Sequence, residues 1–289
     1  MKVRICGKKA LAAVLTAALL LLSLVGAAVL RVASVSEEGT PVPILMYHSV
    51  GYNTKPSKYI LSPEAFEEDL RWLSEHGFRT VFVSELTDYV DGEGSLPDRP
   101  VVITLDDGYL NNLTYVLPLL EKYGMKATVS VVGSFCQTYT ERPDPNPAYA
   151  YLTWEDVERM SRSGRIEIGN HTYAMHSVEG RQGCMRRDDE SVASYSATLM
   201  SDLNKLQAML AHRTGEKPTV FAYPYGAVSA EAVYVLQALE FRAALTCNEK
   251  INFLFPGDSD ALFHLGRFNR PSGEETGAFM TRVLGNVYS

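Results

Sequence analysis

Residues 101–132 read VVITLDDGYLNNLTYVLPLLEKYGMKATVSVV. Val101 to Leu105 is a continuous apolar and β-branched run, the pattern of a strand buried on both faces. Residues 110–123 carry a helical pattern that stops at Gly124, and Ala127 to Val132 is a second strand. Strand, helix and strand in that order predict two parallel strands joined by a crossover helix. The same alternation extends in both directions. Pro43 to Tyr47 reads as a strand, then a helix opens at Ser62-Pro63-Glu64 and ends at Gly77. Thr80 to Val83 reads as a strand followed by a short helix from Ser84. Downstream, a capping-box start at Thr153 opens a helix ending at Gly164, and Arg165 to Ile168 is a strand. Helices over 191–213, 229–240 and 275–284 alternate with strands at Val220 to Tyr223, Ala243 to Thr246 and 261–268. Seven or eight parallel strands in about 250 residues predict an α/β fold, a single (β/α) barrel. Two stretches, 134–150 and 174–190, read as loop insertions.

The barrel accounts for residues 43–289. Ahead of it, Ala10 to Leu30 is a charge-free run of 21 residues. As a helix it is about 31 Å long, enough to cross a bilayer core. Lys2, Arg4, Lys8 and Lys9 precede it, which predicts a cytoplasmic N-terminus and an exported body. Residues 1–31 are therefore expected to be a basic head and single-pass transmembrane helix, and 32–42 a linker. A cleaved signal peptide is the other reading, with Gly26-Ala27-Ala28 offering small residues and a secreted product.

The chain has 27 Lys+Arg and 34 Asp+Glu, a net charge of −7. Five of the basic residues lie in 1–31, which leaves 22 against 34 beyond it, a net of −12. So acidic a body is not expected to bind nucleic acid, which takes clustered Lys and Arg. Cys136, Cys184 and Cys247 are an odd number without short metal-type spacing, so no disulfide framework is expected.

In a parallel barrel the chemistry sits on loops leaving the strand C-termini. Asp106-Asp107-Gly108 follows VVITL, and adjacent carboxylates leaving a strand point different ways. Two histidines, His171 and His176, follow the strand RIEIG in the loop NHTYAMH. With a carboxylate from a strand read as its neighbour, they make a three-ligand metal site. His48 ends the strand ILMY. Pro224-Tyr225-Gly226 follows VFAY, where a backbone N–H held by the turn can bind an oxyanion. His76 and His212 lie in last helical turns, where the helix dipole explains them. His264 falls in the apolar stretch ALFHLGRF, and neither it nor Arg267 receives a role from sequence.

These motifs resemble the polysaccharide deacetylases of the NodB-homology family. Thr104-Leu105-Asp106-Asp107-Gly108 looks like its T-F-D-D-G motif, His171 to His176 like its paired-histidine motif, and Phe221 to Gly226 like its third. The resemblance implies that Asp106 is the general base. It implies that Asp107, His171 and His176 hold a divalent ion, zinc first, with Co, Ni or Mn also fitting, and that the Tyr225 N–H, set by Pro224, stabilises the oxyanion. The reaction implied is hydrolysis of an N-acetyl amide to acetate and a free amine.

Three features depart from the common family pattern. The histidine spacing is one residue wider, Phe221 or Ala222 stands where the third motif has an Arg that orients the first Asp, and the late acid-histidine motif is missing. All three are similar to a branch of exported poly-N-acetylglucosamine deacetylases, in which a strand ending M-Y-H supplies the acid; here that is Met46-Tyr47-His48. The expected function is N-deacetylation of an envelope polysaccharide, peptidoglycan or exopolysaccharide. The rivals are an inactive carbohydrate-binding protein, suggested by the missing Arg, and a deacetylase of xylan or chitin.

Overall fold

A computed structural model of the protein describes residues 39–52 and 55–288. The apolar run 10–30 lies outside them, and among the described residues no helix is long and apolar enough to cross a membrane.

Eight strands form the central sheet: β1 (Ile44–Tyr47), β2 (Arg79–Thr80), β3 (Pro100–Leu105), β4 (Ala127–Val131), β5 (Ile166–Asn170), β6 (Val220–Ala222), β7 (Ala243–Leu245) and β8 (Phe268–Asn269). All neighbours are parallel, in the order β7-β6-β5-β4-β3-β1-β8, with β2 paired to the start of β3. Leu265, just ahead of β8, bridges Leu245 of β7, while Phe268 and Asn269 pair with Leu45 and Met46 of β1. The sheet therefore curls round as a (β/α) barrel does, with its first and last strands side by side.

Strand periodicity assigns the two faces. Val101, Ile103 and Leu105 pack outward with Phe66, Leu70 and Leu73 of α1 (Pro63–Glu75). Val102 turns the other way, to a second core with Ile44, Val220, Ala222, Ala243 and Leu245. Each buried side chain of this size stabilises the fold by about 1.5–3 kcal/mol. Period two then carries Val102 and Thr104 on to Asp106, and Ile44 and Met46 on to His48. Because Met46 lies opposite Thr104 and Asp106 N–H donates to Tyr47 O, Asp106 and His48 leave the barrel together. Below them, buried Asp69 of α1 receives Arg270 at 2.9 and 3.1 Å, Thr276 at 2.7 Å and Tyr47 at 3.1 Å. This network ties the helical layer to the seam between β1 and β8.

Four sequence expectations need correction. Residues 81–83 are not strand. The buried carboxylate of Glu167 accepts from Val83 N–H at 3.1 Å and Ser84 N–H at 3.2 Å, which caps α2 (Val83–Val90) and ends the extended run early. Residues 261–264 belong to a 3-10 turn, Ser259–His264, whose cap Asp258 accepts from Ala261 N–H. His264 is therefore exposed on a turn and not embedded in a strand. The stretch 134–150 is not all loop: α4 (Gly133–Glu141) follows a π turn, Asn112–Val116, and α3 (Leu117–Tyr123) in chain order. It exposes a polar face, and only Gly133 and Cys136 are buried, so its apolar period is weak. Finally, the strands carrying Asp107 and the histidines are not neighbours, because β4 runs between β3 and β5.

Candidate active site

The Asp106-Asp107-Gly108 turn separates the two carboxylates by backbone conformation. Asp107 and Gly108 both take left-handed φ, 72° and 73°. A Cβ on Gly108 would lie 3.0 Å from Val131 Cγ1, so only glycine lets this turn sit against β4. Asp106 continues the inner row of β3, and Asp107 is swung toward the loop after β5.

Asp106 is buried against a residue to which sequence gave no role. Arg267, itself fully buried just before β8, donates Nη1 to Asp106 Oδ1 and Nη2 to Oδ2, both at 2.8 Å. The guanidinium also donates to Thr246 O at 2.9 Å, Thr104 Oγ1 at 3.3 Å and Cys247 Sγ at 3.9 Å. A bidentate guanidinium is the strongest orienting partner a carboxylate can have. Burial opposes ionisation of Asp106, but the Arg267 charge, helped by His171, outweighs it and holds the carboxyl below its usual range. The Arg missing from the third motif is thus supplied from the far end of the barrel. The signal was present in the sequence as a lone cation in the apolar stretch LFHLGRF. Its partner could not be read, since 161 residues separate the two.

Asp107 faces both histidines. Its Oδ1 lies 3.0 Å from His176 Nε2 and 3.5 Å from His171 Nε2, without hydrogen-bond geometry to either. The three ligand atoms all lie within 4.8 Å of one another. His171 Nδ1 donates to Ala222 O at 2.7 Å, and Tyr225 Oη stands 3.3 Å from His176 Nδ1. Both rings therefore anchor Nδ1 and leave Nε2 for an ion. An orphaned carboxylate oxygen facing two imidazole nitrogens is the donor set a Zn²⁺-like cation fits, with open positions for water and substrate. Despite burial, these imidazoles hold the Asp107 carboxyl far below its usual range. The loop is held by Asp202, which accepts from the N–H groups of Tyr173 and Ala174 at 2.7 and 2.8 Å.

His48, Asp106, Asp107, His171, His176 and Tyr225 all line one cavity of about 390 Å³. Pro224 is buried beneath it, opening the 3-10 turn Pro224–Gly226 in which Tyr225 takes φ 59°. The cavity is also lined by Tyr59, Tyr109 and Cys247. His48 packs edge-on to Tyr59 with ring centroids 4.8 Å apart, and its carbonyl accepts from buried Asn112 at 3.0 Å. Neighbouring Asn111 holds Val50 N–H at 3.0 Å and Ser49 Oγ at 2.8 Å, so these two asparagines fix the loop that carries His48. His264 does not line the cavity. Cys136, Cys184 and Cys247 are free thiols. Among the described residues, three of the four non-glycine residues with positive φ, Asp107, Thr172 and Tyr225, are at this site, where surrounding contacts over-determine the strain.

A family model described as "Polysaccharide deacetylase" matches residues 93–244. That span includes both aspartates, both histidines and the Pro224 turn, and excludes His48 and Arg267. The poly-beta-1,6-N-acetyl-D-glucosamine N-deacetylase of Escherichia coli (strain K12) is 24% identical over 217 residues, 68% of this chain and 32% of that protein. The chain thus spans about a third of that relative's length. Among solved structures, a de-N-acetylase from Aggregatibacter actinomycetemcomitans superposes with TM-score 0.68 at 25% identity, covering 82% of this chain and 95% of that one. IcaB from Ammonifex degensii gives TM-score 0.69 at 24% identity over 87% and 99%, a likeness of fold.

Two outcomes follow from this geometry. Elemental analysis should find Asp107→Asn and His171→Ala largely stripped of metal and Asp106→Asn loaded like wild type; equal loss in all three would contradict the separation of the carboxylates. In Arg267→Met, Asp106 becomes a buried charge without a partner, at a cost of about 3–5 kcal/mol at neutral pH. The wild-type carboxyl is depressed, so its stabilisation is present at neutral pH and is lost as pH falls through its folded value. Urea titrations should therefore show the gap between the two proteins narrowing toward acid pH.

Proposed function

The chain belongs to the polysaccharide deacetylase family, and on that premise we propose that it hydrolyses N-acetyl groups of an N-acetylglucosamine-containing envelope polysaccharide, releasing acetate and leaving free amines. The observation that carries this reading is the convergence of Asp107, His171 and His176 beside an ionised, Arg267-bound Asp106 in one cavity. Asp107, His171 and His176 would hold a divalent cation, zinc first, which would lower the pKa of water and polarise a carbonyl. Asp106 accepts the proton of the attacking water; its carboxylate is already ionised, and the guanidinium fixes its direction. The Tyr225 N–H donates to the oxyanion as the carbonyl carbon becomes tetrahedral, and the Pro224 turn sets that donor before substrate arrives. His48 gives a proton to the leaving nitrogen. Burial lowers the His48 pKa and the charges of Asp106 and Asp107 raise it only in part, so its protonated form is a stronger acid than ordinary imidazolium.

The polymer is proposed by analogy with the Escherichia coli relative, whose name specifies poly-beta-1,6-N-acetyl-D-glucosamine. Peptidoglycan and chitin present the same N-acetyl amide, and xylan an O-acetyl ester, to the same attack by water. The charge-free run 10–30 behind four basic residues supports an envelope location with the barrel outside the cytoplasm. The inactive-binder reading loses its main support, because Arg267 takes the part of the missing Arg.

Acetate release from a panel of defined glycans should be greatest for β-1,6-linked N-acetylglucosamine oligomers, vanish with chelator and return with zinc. Binding of those oligomers without acetate release would replace the enzyme with a binding module. His48→Ala should lose about 10²–10⁴-fold in kcat and keep its metal. His264→Ala should match wild type. In wild type, kcat should fall as pH rises through the depressed His48 value, and this limb should be gone from His48→Ala. The reverse result for the two histidines would move the acid to His264.

A further inference from the structure

Residues 177–190 leave the metal-site histidine His176 and reach Ser191, the cap of α6 (Val192–Thr214), without lending a group to the chemistry above. Most of the segment is exposed, yet Gly183 and Cys184 at its middle are buried. They lie against the oxyanion turn. A Cβ on Gly183 would stand 2.6 Å from Pro224 O and 3.1 Å from Pro224 Cβ. Cys184 Sγ is 3.8 Å from Ala227 O, Arg186 N–H donates to Ser229 Oγ at 2.8 Å, and the Arg186 guanidinium is 3.0 Å from Glu231. The segment is also tied to itself. Gly183 N–H donates to Ser177 O at 2.8 Å, and Arg181 spans to Glu190 and to Met185 O, both at 2.7 Å. On the other side of the turn, a Cβ on Gly226 would lie 2.7 Å from Cys247 Cβ. Pro224–Gly226 is thus gripped on both faces at glycine contact distance, while Tyr225 holds left-handed φ.

We infer that segment 177–190 is a strap that positions the Tyr225 N–H, with Gly183 as its contact point; this rests on the deacetylase reading. A non-glycine residue keeps left-handed φ only where its surroundings enforce it. The strap supplies that enforcement. It begins one residue after His176, and its contact at Gly183 bears on the Tyr225 turn and not on the metal ligand. Gly183 is a positioning residue, acting through Pro224.

Two glycines of the same strap separate position from stability. Gly183 and Gly180 both have left-handed φ, 55° and 71°. A Cβ on Gly180 meets no atom within 4 Å. Alanine at either position strains the backbone alike, but only at Gly183 does it push the turn. Removing an oxyanion donor costs about 10²–10³-fold in kcat, so partial displacement in Gly183→Ala should cost about 10–100-fold. KM and zinc Kd should stay within about twofold of wild type. Gly180→Ala should match wild-type kcat with a smaller loss in Tm, from backbone strain alone. If Gly183→Ala does not fold, Ser229→Ala, which cuts one tie of the strap, should lower kcat several-fold at unchanged KM and zinc Kd. Equal kcat in Gly183→Ala and Gly180→Ala, a zinc Kd that rises as kcat falls, or a Ser229→Ala indistinguishable from wild type would overturn the strap. A wild type that releases no acetate from any acetylated glycan would instead overturn the reading beneath it.

Discussion

The pairing of Arg267 with Asp106 is the interaction on which the site depends. Two fully desolvated charges are tolerable only when each satisfies the other and the remaining donors find partners. Arg267 meets that condition, with two bonds to the carboxylate and others to Thr246 and Thr104. The consequence for Asp106 is an ionised group of fixed direction at the mouth of a barrel. The same pair constrains the architecture, since Arg267 must reach across the barrel interior from the segment that joins β7 to β8. Barrel closure and the preparation of the base are one event.

The βαβ pattern was legible because strands buried on both faces are continuous apolar runs, and helix ends carry glycine and capping residues. Asp106, Asp107, His171, His176 and Tyr225 were legible because parallel barrels confine chemistry to strand ends. Arg267 was not, since sequence offers no measure of which distant carboxylate a buried cation meets. Asn111 and Asn112 were hidden for a similar reason: they act on the backbone of His48 and Val50 through space. The errors at 81–83 and 261–264 share a cause. In both, a carboxylate captured backbone N–H and turned an apolar run into a helix or turn: Glu167 from a distant strand, a tertiary override of local pattern, and Asp258 from three residues upstream, a local cap.

Left-handed backbone at Asp107, Thr172 and Tyr225 shows how the site spends stability on geometry. Each lies where a strand ends and the chain must turn sharply without losing the direction of a functional group. The strain is supported by close contact around it: Gly108 against Val131, Asn170 accepting from Thr172 N–H at 2.8 Å, and Gly183 against Pro224. These small or short residues carry no chemistry, yet they decide where the reacting atoms stand.

The placement of β1 beside β8 has a consequence for the growing chain. His48 is made near the start of the domain and Arg267 near its end, with every other site residue between them. A ribosome-bound chain therefore holds the two aspartates, the histidines and the Tyr225 turn before it holds the cation that pairs with Asp106. Until the last strand is laid against the first, Asp106 has no counter-charge and no reason to be buried. The counter-charge of Asp106 is thus the last part of the site to be made.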